Sequence, residues 1–282
     1  MPYKGCDCGI VLEGDSVEYR LGQKMMAEGI ATFFLVFVGA GAAAMTLVVS
    51  HGAPRYTVHD VGIGALGGSA DWLAIGCAFA FAIMTMAYVF GHVSGAHMNP
   101  GVTLSLAVRG HMSWSDAAGY WVAQFVGATL GAFAIAVIYG KVGWLVGGLG
   151  AAAPFPGVPL WRAGVAECLG QFGLVLGVYG LAVNKKAPSG WAGLIIGLNI
   201  AGLIVVLGNV SGGAINSART VGPIFADWVL GGANLWHVVP VYLTAQILGA
   251  LAAAGLYPLV AELRPRAALS ATETGEASLA DS

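Results

Sequence analysis

The sequence predicts an all-α membrane protein: six transmembrane helices plus two re-entrant half-helices, arranged as two inverted repeats. Three observations predict it. First, 57% of the 282 residues are hydrophobic and only 9% are charged, whereas a soluble domain carries roughly 25% charged residues. Second, six apolar stretches are long enough to cross a hydrocarbon core of about 30 Å. Third, two short segments echo one another: Ser94-Gly95-Ala96-His97-Met98-Asn99-Pro100-Gly101 and Ser211-Gly212-Gly213-Ala214-Ile215-Asn216-Ser217-Ala218-Arg219. Each begins Ser-Gly, reaches an Asn five residues later and runs into about ten apolar residues.

Ten residues of helix rise roughly 15 Å, half of the hydrocarbon core. Each segment therefore reads as a loop that dips into the membrane and a helix that starts near the midplane. Asn99 and Asn216 stand where an N-cap belongs. Helices entering from opposite faces would oppose two positive dipole ends, which repels cations and offers asparagine amides to neutral solutes.

In chain order, residues 1–20 read as a polar tail. Its Cys6 and Cys8 form a Cys-x-Cys whose spacing is unspecific for a metal or redox role. The first twenty residues lack a cationic segment followed by an apolar run. No cleavable signal peptide is expected, and the first span serves as the insertion signal. The spans run from about Lys24 to Val49, Trp72 to Gly91, Ser115 to Tyr139, Trp161 to Val183, Gly190 to Leu207 and Trp236 to Val260. The half-helices run from about Asn99 to Val108 and Asn216 to Trp228. A Gly-rich run, Val61–Ser69, precedes the second span, a Gly- and Pro-rich outer loop follows the third, and Asn184-Lys185-Lys186-Ala187-Pro188 is a tight polar turn. Residues 263–282, rich in Glu, Thr, Ser and Ala, read as a disordered tail. The 44 glycines suit close helix contact in a bilayer. Cys77 and Cys168 lie inside spans and read as packing residues. The eight tryptophans mostly stand at span edges, as an interfacial belt would place them.

The halves repeat, over about 21–140 and 160–262. Ala27-Glu28 recurs as Ala166-Glu167, the Ser-Gly…Asn loop recurs, and Ala123-Gln124-Phe125-Val126-Gly127-Ala128 recurs as Ala245-Gln246-Ile247-Leu248-Gly249-Ala250. Three spans per half is an odd number, so the halves lie in opposite orientations. With the N-terminus inside, the inner segments hold Lys4, Arg20, Lys24, Arg109, Lys185, Lys186, Arg264 and Arg266. The outer loops then hold only Arg55, Lys141 and Arg162. This asymmetry places both termini in the cytoplasm, with the chain multi-pass in the cell membrane.

Arg219 follows the second Asn at membrane depth, where a charge is costly and marks a pathway or a pair. We read it as a pore-lining donor that repels cations, in preference to an interfacial Arg snorkelling to water. Glu28 and Glu167 are carboxylates well inside repeated spans. They can couple ions, as in a secondary transporter, or they can accept the loop N–H groups that no helix satisfies; their symmetric placement favours the second role. His97 reads as a side-chain pin for its loop, with a pH-dependent role for it or for His92 left open. No basic stripe invites nucleic acid. No metal-ligand cluster or nucleophile–base pair points to an enzyme, and no cofactor is expected.

These features resemble the aquaporin (major intrinsic protein) family over roughly residues 21–262. The resemblance rests on Ala27-Glu28, on the two Ser-Gly…Asn loops and on Ala218-Arg219-Thr220-Val221-Gly222-Pro223. The family pattern is Asn-Pro-Ala in both loops. Here the first reads Asn99-Pro100-Gly101 and the second Asn216-Ser217-Ala218, which bears on the tightness of the central constriction. The resemblance implies pore asparagines at Asn99 and Asn216 and a selectivity filter of Phe79, Ile204, Gly213 and Arg219. It also implies a pore wall that includes the backbone of Gly95, Ala96, His97, Gly212 and Ala214. Water-specific members carry His where Ile204 stands, so the filter here is expected to be wider and less polar. Glycerol-conducting relatives usually carry Asp where Thr220 is. The outer loop, with Gly147-Gly148-Leu149-Gly150 and Pro154-Phe155-Pro156-Gly157, looks most like archaeal aquaporins. The implied function is a passive channel for water and small neutral solutes (glycerol, ammonia, urea or dissolved gases) that excludes protons and ions, as a homotetramer. An ion-coupled transporter using Glu28 and Glu167 is the alternative.

Overall fold

A computed structural model describes residues 19–50 and 68–261. The two tails, with Cys6 and Cys8, and all but the end of the Gly-rich run lie outside the described residues. Among the described residues, six helices are long and apolar enough to cross a membrane: α1 (Leu21–Val49), α2 (Ser69–Ser94), α4 (Trp114–Tyr139), α6 (Leu160–Val183), α7 (Ala192–Ser211) and α9 (Val239–Ala261). Two shorter helices, α3 (Pro100–Val108) and α8 (Ser217–Val229), follow the echoing loops. A one-turn helix, α5 (Lys141–Leu145), lies in the long connection after α4. The described residues contain no strand.

The boundaries follow local chemistry. Ser113 caps α4 by accepting from Asp116 N at 3.0 Å. Both α2 and α7 stop at a left-handed glycine, Gly95 and Gly212, which closes a helix without a Cβ clash. The last span starts at Val239, later than the apolar run at Trp236 suggests. Residues 235–238 form a turn, and Pro240 then falls in the first helical turn, where its missing N–H costs nothing.

Helix contacts come in pairs that repeat between the halves. Helix α1 packs on α2 and α4, as α6 packs on α7 and α9; α4 packs on α8, as α9 packs on α3. At the centre α2 meets α7 and α3 meets α8. Glycine permits the closest of these approaches. A Cβ on Gly127 would overlap the Gly29 carbonyl, and one on Gly249 the Cys168 carbonyl at the matching place. Cys168 thus contributes backbone to a helix crossing.

Large apolar side chains cover the outside, Val137 and Val260 being 83% and 79% exposed. This suits hydrocarbon as the surrounding solvent. Trp114, Trp161, Trp191 and Trp228 are exposed, as a belt requires, but Trp72 is not: it is 1% exposed and lies against Gly208. Its position at a span edge was the signal; the absent side chain of Gly208 leaves the room that the indole fills.

Candidate functional site

Each loop is an irregular backbone held by one buried carboxylate. After Gly95 the chain passes through positive φ at Ala96 (48°) and Met98 (53°); after Gly212 it does so at Gly213 (56°) and Ile215 (49°). A β-branched residue such as Ile215 pays for that conformation in steric strain, so something must hold it. Glu28 accepts from His97 N, Met98 N and Ser94 Oγ, all at 2.8 Å, and from Gln124 Nε2 at 2.8 Å. Glu167 accepts from Ser211 Oγ (2.6 Å), Ala214 N (2.9 Å), Ile215 N (2.6 Å) and Gln246 Nε2 (2.7 Å). Both carboxylates are fully buried. Around them Tyr120 and Tyr242 donate to the carbonyls of Ser94 and Ser211 at 2.8 and 2.6 Å. Gln124 and Gln246 also reach Thr103 and Thr220 at 3.0 and 3.1 Å. His97 sits with Nδ1 3.1 Å from Thr103 Oγ1 and its ring 5.1 Å from that of Tyr120.

The asparagines meet at the two helix tips. Asn99 Oδ1 accepts from Gly101 N at 2.8 Å, and Asn216 Oδ1 accepts from Ala218 N and Arg219 N at 3.0 and 3.1 Å. Each cap satisfies N–H groups of its own helix. Each amide nitrogen then crosses to the opposite loop: Asn99 Nδ2 donates to Ile215 O at 2.8 Å and Asn216 Nδ2 to Met98 O at 2.7 Å. A cavity of about 780 Å³ runs past both asparagines to the Asn184–Gly190 turn, with Phe79, Ile204 and Gly213 on its wall. The backbone of Gly95, Ala96, His97 and Ala214 contributes to the same wall, and Gly212 does not. Gly212 instead caps α7 beside Ala152 and Ala153.

Three of the four filter candidates, Phe79, Ile204 and Gly213, line the cavity; Arg219 packs behind them against Phe79 and is not itself on the cavity wall. Arg219 is fully buried, with its guanidinium carbon 5.2 Å from the centre of the Phe79 ring, within cation–π range. Its three guanidinium nitrogens have no hydrogen-bond partner among the described residues. A Cβ on Gly213 would lie 3.5 Å from Ile204 Cγ1. Behind Phe79 is a π-helical turn of α1, Leu35–Ala40, and a Cβ on Gly39 there would overlap the ring. Gly39→Ala is therefore expected to displace Phe79, at an overpacking cost of about 1–3 kcal/mol. The glycerol-to-water permeability ratio in liposomes should change with it; an unchanged ratio would show that the ring does not set the aperture.

The second motif's serine is bonded. Ser217 Oγ donates to Gln246 Oε1 at 2.9 Å. In the first half Pro100 stands at that place, has no such donor, and Gln124 Oε1 is left without a partner among the described residues. Ser217→Ala should orphan the Gln246 oxygen too, lowering stability by about 1–3 kcal/mol. A drop in the thermal midpoint of the detergent-purified protein measures it, and an unchanged midpoint refutes the bond.

The sequence reading missed the bonding roles of Tyr120 and Tyr242, Thr103 and Thr220, and the place of Gly39. The first four had a signal: each Tyr precedes its Gln by four residues and each Thr follows its Asn by four, in both halves. Gly39 had none, because a π-turn leaves no mark in composition.

Among known proteins, the pattern described as Major intrinsic protein matches residues 15–257. Aquaporin AqpM of Methanothermobacter thermautotrophicus is 45% identical over 237 residues, 84% of this chain and 96% of that one. Probable aquaporin AqpM of Archaeoglobus fulgidus is 46% identical over 242 residues, 86% of this chain and 98% of that one. Among solved structures, the aquaglyceroporin from Plasmodium falciparum superimposes with a TM-score of 0.68 at 22% identity, over 86% of this chain and 97% of that one, and so shares the fold. With two loop-borne asparagines, two buried carboxylates and six spans in place, this chain belongs to the major intrinsic protein family.

Proposed function

We propose that the chain is a passive channel whose conducted species are water and small neutral solutes such as glycerol, ammonia, urea or dissolved gases. The observation that carries the reading is the pair of helix tips: two capped asparagines, each bonded to the opposite loop, on the wall of one continuous cavity. Molecules in single file would exchange hydrogen bonds there, while the opposed helix ends and Arg219 exclude protons and cations. Phe79, Ile204, Gly213 and Arg219 act as the filter. Glu28 and Glu167 support the loops. Four donors saturate each carboxylate, and neither lies on the cavity wall, which disfavours ion coupling. The chain works as a homotetramer with a pore in each subunit and both termini in the cytoplasm; the archaeal relatives named aquaporin support the conducted species.

Purified protein in liposomes, given an osmotic step, should shrink the vesicles faster than empty controls. Equal rates for water, together with no glycerol or ammonia influx, would overturn the reading. Ile204→His should narrow the filter and lower the glycerol-to-water ratio by about tenfold, on the order of 1.4 kcal/mol in relative barrier. An unchanged ratio would remove Ile204 from the filter.

A further inference from the structure

The two asparagines are not equivalent. A side-chain amide carries two N–H groups. Among the described residues Asn216 Nδ2 has one acceptor, Met98 O, and Asn216 lines the cavity, so its other N–H is left for the pore. Asn99 Nδ2 has two acceptors: Ile215 O at 2.8 Å and Gln171 Oε1 at 3.3 Å. Gln171 Nε2 in turn lies 3.4 Å from Asn99 Oδ1, completing an amide–amide pair.

Gln171 stands on α6 one turn beyond Glu167, is fully buried and is not on the cavity wall. It fits there because residue 101 is glycine: a Cβ on Gly101 would lie 2.6 Å from Gln171 Nε2 and 2.9 Å from its Cδ. The other half has neither part of the device. At the matching positions Ala218 carries a Cβ, and the Thr32 hydroxyl is spent on Glu28 O at 2.7 Å.

We propose that Gln171 is a positioning residue of the channel: it takes up the second N–H of Asn99, so that Asn216 alone donates to a molecule crossing the midplane. The proposal rests on the channel reading. Departure from the family's Asn-Pro-Ala at Gly101 is then part of the mechanism, since alanine at that position would drive the amide of Gln171 away. A molecule stripped of its neighbours at the constriction is then met by one asparagine donor instead of two. Solutes that accept hydrogen bonds are slowed, and solutes that accept none are indifferent.

The test uses full-length protein in liposomes, with permeability normalised to folded protein. Gln171→Met keeps the side chain's length and removes the amide; Gly101→Ala keeps the amide and pushes it off Asn99. Each should raise water permeability about fivefold, the effect of one added hydrogen bond at the barrier, and lower the temperature dependence of the flux. The double variant should gain no more than either single one, since both break the same pair. If Gln171→Met does not fold, Gly101→Ala carries the test alone, alanine being the stronger helix former. A purely structural role would lower the yield and leave normalised flux and its temperature dependence at wild-type values. That result, or additive gains in the double variant, overturns the proposal. If the wild type itself conducts nothing, the channel reading falls with it; conduction by the wild type with unaltered variants sinks the proposal alone.

Discussion

Glu167→Ala is expected not to accumulate as folded protein. Four donors converge on that carboxylate: Ser211 Oγ, Ala214 N, Ile215 N and Gln246 Nε2. A buried donor left unmade costs about 1–3 kcal/mol, so the two backbone N–H groups alone account for several kcal/mol. Total stability is only about 5–15 kcal/mol. The positive φ at Ile215 would lose the bond that holds it. Glu167→Gln should be intermediate, because one oxygen still accepts while the new NH₂ faces a donor. Size-exclusion profiles of membrane extracts rank the three proteins, with wild type first and Glu167→Ala last. Glu28→Gln separates the support role from ion coupling. A coupled transporter would stay folded and lose gradient-driven uptake, whereas a support loses folded protein first and keeps its passive flux in whatever remains. Full recovery of Glu167→Ala as folded protein would sink the support role.

Arg219→Val is expected to weaken discrimination against protons sharply without loss of stability. The guanidinium is fully buried, and none of its nitrogens has a hydrogen-bond partner among the described residues. Its removal gives up the cation–π contact with Phe79, worth about 2 kcal/mol, and relieves a desolvation penalty of several kcal/mol, so the thermal midpoint should hold or rise. The barrier is another matter. A unit charge 4 Å away contributes about 4 kcal/mol at an effective dielectric of about 20, so its loss corresponds to a leak increased by about a thousandfold. A pH-sensitive dye trapped in liposomes reads that leak after a pH jump. Proton flux at the wild-type level, coupled to a lower midpoint, would show that Arg219 is a structural charge instead of a barrier.

The sequence displayed the architecture because membranes leave few options. Spans must be long and apolar, and two Ser-Gly…Asn segments of half that length could only be dips. The repeat was legible through side chains that do the same job twice, such as Glu28 and Glu167 with Gln124 and Gln246. What could not be read was pairing that occurs once. Gln171 is an ordinary amide in an apolar helix until Gly101 is seen beside it, 70 positions earlier in the chain. Trp72 looked interfacial because the small residue that receives it, Gly208, lies on another helix. The turn that brings Gly39 against Phe79 depends on a local widening of α1, which follows from packing and not from residue types. The role of Ser217 was likewise hidden, since a serine at the start of a helix is unremarkable until its hydroxyl is found on Gln246.

The carboxylate clamps have a consequence for ancestry. All four donors to Glu28 come from its own half, and all four donors to Glu167 from the other. A polypeptide of about half this length would already contain a self-sufficient dip with its own anchor. Two identical copies, inserted upside down relative to each other, could then have met asparagine to asparagine before any gene fusion. The amide pair of Asn99 and Gln171, by contrast, is present in one half alone and has no counterpart at Asn216 and Thr32.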